Sequence, residues 1–140
     1  AEVEEEMLHP RLRTVAGRDD PVAVLEAANR AYCLAYRRNA RMNHLLEQVA
    51  ATDEGFMRLR RKRADAFVRR NAREIRRLQA AGMADPELDP VLTADALSTM
   101  VSRMANRVFV QGARVPFEQL VWTATRLWAN ALRIPIDQER

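Results

Sequence analysis

The chain contains two histidine and glutamate pairs at a spacing that metal-binding helices use. They are Glu6 with His9 and His44 with Glu47. A di-iron helical bundle needs Glu-x-x-His motifs on two helices and a further glutamate from each of two others, all facing inward. Only Glu6 and His9 have the Glu-x-x-His order, so no second such motif completes a site. Pro10 follows His9 directly. We therefore expect no metal ion and no cofactor.

The single cysteine, Cys33, is the candidate nucleophile. Nucleophilic catalysis also needs a base and a group that orients it. Cys33 instead lies between Tyr32 and Leu34 on an apolar helix face, where an unactivated cysteine behaves as a small hydrophobic residue. With four glycines, the chain also has no glycine-rich loop that could bind phosphates. We predict that the chain has no catalytic residues and is not an enzyme.

Polar side chains lie within two of the apolar stripes. Asn29, Tyr32 and Tyr36 belong to one stripe and Asn71 belongs to another. A buried polar group costs ~1–3 kcal/mol unless it finds a partner. These residues therefore either bond each other within the core or face a pocket between helices. Such a pocket would be mainly apolar, with flexible methionine walls supplied by Met100 and Met104.

The basic residues are unusual in kind and in position. Lysine and arginine together number 23, and Lys62 is the only lysine. Ten of these cations lie between residues 58 and 77, where Phe67 falls on the apolar stripe and offers no stacking platform among them. The pattern favours a solvated helix face over direct nucleic-acid binding. A surface that docks an acidic protein remains the alternative.

Helical periodicity accounts for the whole chain, and no segment shows the alternation of a strand. Asp20 followed by Pro21 is typical of a helix start, and Gly82 is typical of a helix end. We predict an all-α bundle of about five main helices. Their expected extents are Pro21 to about Asn39, a shorter helix through Leu45 and Val49 that ends near Thr52, Phe56 to Ala81, Val91 to about Gln111, and Phe117 to Pro135.

The last two predicted helices each carry two apolar stripes. In the first of them the stripes run through Leu97 and Val101, and through Ser98 and Ser102. A surface helix needs one such stripe to face its own core. The second stripe therefore covers either deeper core or a partner, and we expect a homodimer in which these helices form a four-helix interface.

Length and composition set limits on the protein class. The chain has 140 residues, which is about one domain. A lone cysteine fits a reducing compartment, and no run approaches the ~20 apolar residues that span a bilayer. We expect a cytoplasmic protein that does not enter a membrane. The helix-forming stretch Ala1 to Leu8 reads as the end of a longer helix.

Several segments, in this order along the chain, resemble the C-terminal domain of tetracycline-repressor (TetR) type transcriptional regulators. The likeness is to arginine-rich actinobacterial members and covers about Asp20 to Leu132. The segments that carry it are Phe67 to Gly82, Asp85 to Pro90, Ala96 to Met100 and Leu127 to Leu132.

This resemblance implies that residues 1–140 are a C-terminal ligand-binding and dimerisation domain. Family members read DNA with an N-terminal helix-turn-helix, which a connecting helix joins to this domain. We expect that the helix-turn-helix is absent from this chain and that Ala1 to Leu8 is a remnant of the connecting helix. The implied function is a ligand-responsive transcriptional repressor. Its partners would be operator DNA, through the missing domain, and a small, mainly apolar effector.

The resemblance also implies site residues. The expected ligand-binding residues are Asn29, Tyr32, Cys33, Tyr36, Phe67, Asn71, Met100 and Met104. The expected dimer interface comprises Ser98, Ser102, Ala105, Phe109, Val121, Thr125, Trp128 and Leu132. The competing hypothesis is a helical interaction module without a ligand, which docks acidic partners through its arginine-rich face.

Overall fold

The computed structural model describes residues 20–135, and these residues form five helices. They are α1 (Pro21–Arg38), α2 (Ala40–Thr52), α3 (Glu54–Ala80), α4 (Pro90–Phe109) and α5 (Phe117–Leu132). No strand occurs in this part of the chain. The prediction of an all-α bundle of about five helices is confirmed. The expected connecting-helix remnant, Ala1 to Leu8, lies outside the described residues, as do Glu6 and His9.

Three aspartates begin helices by binding the free N–H groups of the first turn. A carboxylate oxygen of Asp20 accepts from the N–H of Val22 at 3.0 Å. Asp53 caps α3 and Asp89 caps α4 in the same way, at 2.9 and 2.8 Å. Because an Ncap aspartate stabilises a helix by typically ~1 kcal/mol, these residues set where α1, α3 and α4 begin.

The C-terminus of α3 has a Schellman cap. The N–H of Met83 donates to the carbonyl of Leu78 at 2.8 Å, and the N–H of Gly82 donates to the carbonyl of Gln79 at 3.0 Å. Gly82 has φ +72°, in the left-handed region where a side chain is strained. The cap predicted at Gly82 is therefore confirmed.

The same motif ends α5, with an arginine where α3 has glycine. The N–H of Ile134 donates to the carbonyl of Ala129 at 2.8 Å, and Arg133 has φ +62°. Leu132 is therefore the last residue of α5, and the end expected at Pro135 was placed too late. Because the left-handed residue is an arginine, no glycine marks this end, and Pro135 marks it only to within a few residues.

The main hydrophobic core lies where α3, α4 and α5 meet. Ile75 of α3 and Leu132 of α5 are 1% and 0% exposed. Around them pack the remaining buried members of the core, which include Val22, Ala72, Leu78, Ala94, Leu97, Val101, Ala124 and Trp128. Helix α1 lies against α4 and α5, and α2 contacts α1 and α3. No helix among residues 20–135 is long and apolar enough to cross a bilayer.

Both apolar stripes of α4 and α5 are covered by the chain itself. Helix α4 contacts α1, α3 and α5, so it needs apolar residues around most of its circumference. Ala105, Val121, Thr125 and Leu132 are 0% exposed, and Trp128 is 7% exposed. A second copy cannot reach these five side chains in this conformation, so their assignment to a dimer interface is corrected: they belong to the core. Ser98, Ser102 and Phe109 are partly buried.

Candidate functional site

A cavity of about 140 Å³ lies between four helices, and we call it the apolar cavity. Helix α1 supplies one wall, α3 the opposite wall, and α4 and α5 close the remaining sides. Its lining is predominantly aliphatic and aromatic, and it comprises Val24, Leu25, Ala28, Asn29, Tyr32, Phe67, Arg70, Asn71, Glu74, Ile75, Leu78, Ser98, Val101, Trp128 and Leu132. An apolar cavity of ~150 Å³ holds one benzene ring, so this volume suits a ligand group of that size.

Two asparagines cross between helices at the wall of this cavity. The amide of Asn71 on α3 donates to the hydroxyl of Ser98 on α4 at 3.0 Å. The amide of Asn29 on α1 donates to the hydroxyl of Thr125 on α5 at 3.2 Å. The Thr125 hydroxyl in turn donates to the carbonyl of Val121 at 2.8 Å. Each asparagine therefore has a hydrogen-bond partner inside the protein and also lines the cavity. A satisfied position in the core and a position facing a pocket, left open as alternatives above, occur together.

Trp128 adds an unpaired hydrogen-bond donor to the same wall. Its indole N–H is buried and has no acceptor among the residues that the structure describes. Buried tryptophan N–H groups usually find an acceptor, because leaving a donor unpaired costs ~1–3 kcal/mol. Since Trp128 lines the cavity, a bound molecule with an acceptor atom could meet this need.

Tyr32 stands at the edge of the apolar cavity, with its ring 6.1 Å from that of Phe67. Burial raises the pKa of Tyr32 to about 12, against the opposing effects of a hydrogen bond with Ser102 and the positive charge of Arg60. The hydroxyl is therefore protonated at neutral pH and can act as a hydrogen-bond donor.

Cys33 lies beside this tyrosine and faces away from solvent. Its side chain is 0% exposed and packs with Leu120 and Val121 in a second, smaller core cluster. Burial raises the pKa of Cys33 to about 11. Because the thiolate is the nucleophilic form, a thiol with this pKa is unreactive at neutral pH.

The expected ligand-binding residues fall into two groups. Four of them line the apolar cavity: Asn29, Tyr32, Phe67 and Asn71. The other four are not part of its wall: Cys33 packs against α5, Tyr36 bonds Asn106, and Met100 and Met104 pack against the core from partly buried positions. Trp128 and Ser98, which were expected at a dimer interface, line the cavity instead.

A second polar centre, which sequence reasoning missed, lies at Asn106 on α4. Its amide donates to the hydroxyl of Tyr36 and to a carboxylate oxygen of Glu47, both at 3.0 Å. Its carbonyl oxygen accepts from Gln111 at 2.9 Å. Asn106 lies one turn after Ser102, on an apolar stripe, so the pattern that singled out Asn29 also marks this residue. The network joins α4 to α1 and α2.

A row of aromatic rings connects the apolar cavity with this centre. Successive centroids lie 5.9 to 6.4 Å apart at tilted angles, a common geometry for aromatic pairs. The row runs through Phe67, Tyr32, Tyr36, Phe109 and Phe117. Tyr32 thus lies both at the cavity and beside Tyr36, which bonds Asn106.

The metal-binding spacing at His44 and Glu47 does not assemble a site. His44 contacts the side chain of Gln48, with 3.3 Å between its ring nitrogen and the amide nitrogen, and Glu47 accepts from Asn106. Within residues 20–135 no group of three or more histidine, cysteine, aspartate or glutamate side chains could hold a metal ion.

No protein-family model, curated protein or solved structure matches this chain.

Proposed function

We propose that residues 20–135 are the effector-binding part of a ligand-responsive transcriptional regulator, acting as a repressor. The observation that carries the proposal is the apolar cavity, a mainly apolar space with an unpaired indole donor at Trp128 and two asparagines on its wall. Few convergent polar groups in an otherwise apolar cavity are typical of small-molecule sites. The resemblance to TetR-type regulators supplies the regulatory role.

The mechanism is a change of packing on ligand binding. A molecule in the apolar cavity contacts α1, α3, α4 and α5 at once, so it favours whichever arrangement of these helices fits it best. It shifts the equilibrium only if it binds the two arrangements with different affinity. The altered arrangement then changes the spacing of two DNA-reading domains in a homodimer.

The homodimer uses exposed surfaces of the last two helices. Leu92 of α4 is 70% exposed, and Leu127 of α5 is 41% exposed. Ala96 lies one turn after Leu92, and Thr123 and Ala131 lie one turn on either side of Leu127, all of them exposed. We assign the dimer contact to these exposed residues, because the buried stripes are already covered within the chain. Sedimentation of only monomer at micromolar concentration would contradict the dimer.

The test of the regulatory role is the coding sequence upstream of Ala1, together with DNA binding by its full product. We expect a helix-turn-helix there, and we expect a small apolar molecule that raises the melting temperature of residues 20–135 to release the DNA. An upstream sequence without a helix-turn-helix, or DNA affinity that such a molecule does not change, would contradict the proposal.

A second function is favoured by the charge on α3. Seven of its cations are exposed, and six of them could dock an acidic protein: Arg58, Arg61, Lys62, Arg69, Arg73 and Arg76. Arg77, by contrast, pairs with Glu74 at 2.6 Å. Docking through this face would weaken strongly as salt is raised, whereas binding of an apolar ligand would not.

A further inference from the structure

A second cavity, of about 280 Å³, adjoins the first and has a different chemistry. It lies between α3 and α4 and we call it the arginine-rimmed cavity. Two guanidinium groups, from Arg60 and Arg63, line it beside a single carboxylate, that of Asp95. Its lining is therefore net positive, in contrast to the largely aliphatic lining of the apolar cavity.

The polar lining of this second cavity is rich in hydroxyl groups. Ser98, Thr99 and Ser102 on α4 line it, and Tyr32 contributes from α1. The Thr99 hydroxyl donates to Asp95 at 3.3 Å, which occupies one oxygen of the one acidic group. The guanidinium donors of this lining suit an anion, because charge-assisted hydrogen bonds are about twice as strong as neutral ones.

The two cavities share a wall. Tyr32, Phe67 and Ser98 line both of them. A molecule that extends along these three side chains has one end in the mainly apolar lining of the first cavity, which also includes Arg70 and Glu74, and the other end beside Arg60 and Arg63. The positive charge of Arg60 already acts on this wall, since it lowers the pKa of Tyr32 against the larger effect of burial.

We propose that the ligand is an amphipathic organic anion, with an apolar group in the apolar cavity and a carboxylate or similar anionic head beside Arg60 and Arg63. This inference rests on the proposed ligand-binding function and specifies the chemical class of the effector. The apolar part is limited to about one aromatic ring by the 140 Å³ volume. The head group supplies the acceptor atoms that the guanidinium groups of the second cavity can bind.

The experiment is a calorimetric titration of the chain with two probes of matched shape. One is 4-phenylbutyrate, and the other is the uncharged 4-phenylbutan-1-ol. We expect the carboxylate to bind roughly tenfold more tightly, the effect of one additional charge-assisted hydrogen bond. Butyrate and inorganic phosphate serve as head groups without a ring, and we expect both to bind far more weakly than 4-phenylbutyrate.

Variants of Arg60 test whether the carboxylate head group binds beside this residue. Arg60→Gln should remove most of the preference for the carboxylate and leave binding of the alcohol unchanged, whereas Arg60→Lys should keep much of the preference. Arg61→Gln is the matched control, because Arg61 is exposed and lies outside the cavity lining. Circular dichroism of each variant verifies that the fold is retained.

The outcomes separate this inference from the proposed function. Equal affinity for the two probes, or an unchanged preference in Arg60→Gln, would overturn the anionic head while leaving the apolar cavity as a ligand site. Absence of binding by both probes would overturn the ligand site and the anionic class together. Phosphate binding as tight as that of 4-phenylbutyrate would show an anion site that needs no apolar group, and would also overturn the proposal.

Discussion

The side-chain amide of Asn71 donates a 3.0 Å hydrogen bond to the hydroxyl of Ser98, and this bond joins α3 to α4 at the wall of the apolar cavity. Both residues also line the cavity, so the bond orients two polar groups toward the same space. The same pair therefore contributes both to the packing of α3 against α4 and to the wall of the apolar cavity.

Removing this bond should weaken both stability and ligand binding. We expect Asn71→Ala and Ser98→Ala each to lower the free energy of unfolding by about 1 kcal/mol, the usual net value of one hydrogen bond. In a double-mutant cycle the two effects should not add, because the residues share one interaction. Urea unfolding of both single variants and the double variant measures this coupling. Fully additive losses would contradict the bond.

The buried bond between Asn29 and Thr125 should contribute more. Thr125→Val keeps the shape of the side chain but leaves the Asn29 amide without its acceptor inside the protein, so we expect a loss of ~1–3 kcal/mol. Gln119→Ala is the control, because Gln119 is exposed on the same helix and has no role in the buried bond. We expect it to change the free energy of unfolding by less than about 0.5 kcal/mol. Similar losses in the two variants would contradict the account.

Stability should fall as the solution becomes alkaline. Burial raises the pKa of Tyr32 from 10.0 to about 12 and that of Cys33 from 9.0 to about 11. For each group, at pH values between its two pKa values, the folded chain holds a proton that the unfolded chain has lost. The free energy of unfolding therefore decreases as pH rises through this range. At pH values below the unfolded-chain pKa of each group, the contribution of that group to the free energy of unfolding is fully present.

Tyr32→Phe tests the tyrosine part of this effect. The variant has no phenol to ionise, so its free energy of unfolding should fall less between about pH 8 and about pH 11 than that of the natural chain. Urea unfolding at the two pH values gives both differences. Equal differences in the two proteins would show that the tyrosine is not held protonated by the fold.

The two Schellman caps offer a matched pair of opposite substitutions. Gly82 and Arg133 both have positive φ, at +72° and +62°. A side chain in that region costs about 1–2 kcal/mol, so Gly82→Ala should destabilise the protein by about that amount. Arg133→Gly should stabilise it, by up to about 1 kcal/mol after the greater flexibility of glycine in the unfolded chain is included. If the two substitutions move the melting temperature in the same direction, the left-handed cap conformation assigned to Gly82 and Arg133 would be refuted.

Local signals predicted the helices well, and long-range contacts explain what they missed. Asp20 and Gly82 mark helix ends because capping depends on neighbours in sequence. Asn29 and Thr125 are 96 residues apart, so no periodicity could pair them. The stripe containing Trp128 was expected at a dimer interface because periodicity identifies an apolar face but not which helix covers it. In the structure α1 and α4 cover that face.

The lining of the apolar cavity could be anticipated from the sequence only in part, for the same reason. Asn29 and Asn71 were recognisable as polar residues within apolar stripes, and both line the apolar cavity. Arg60 looked like its neighbours in a cationic run, because the sequence does not reveal which arginines turn toward α4. The unpaired indole of Trp128 depends on the absence of an acceptor nearby, which is a property of the packed structure alone.

The central claim is that the apolar cavity binds a ligand, and Trp128 can report on it directly. The chain has two tryptophans, so Trp122→Phe leaves Trp128 as the only indole fluorophore. We expect 4-phenylbutan-1-ol, and benzene near saturation, to change the emission of Trp128 in a saturable way and to raise the melting temperature. Ala28→Leu, which fills the cavity, should abolish both responses, whereas Ala66→Leu on the exposed face of α3 should not. Emission and melting temperature that neither probe changes would contradict the claim.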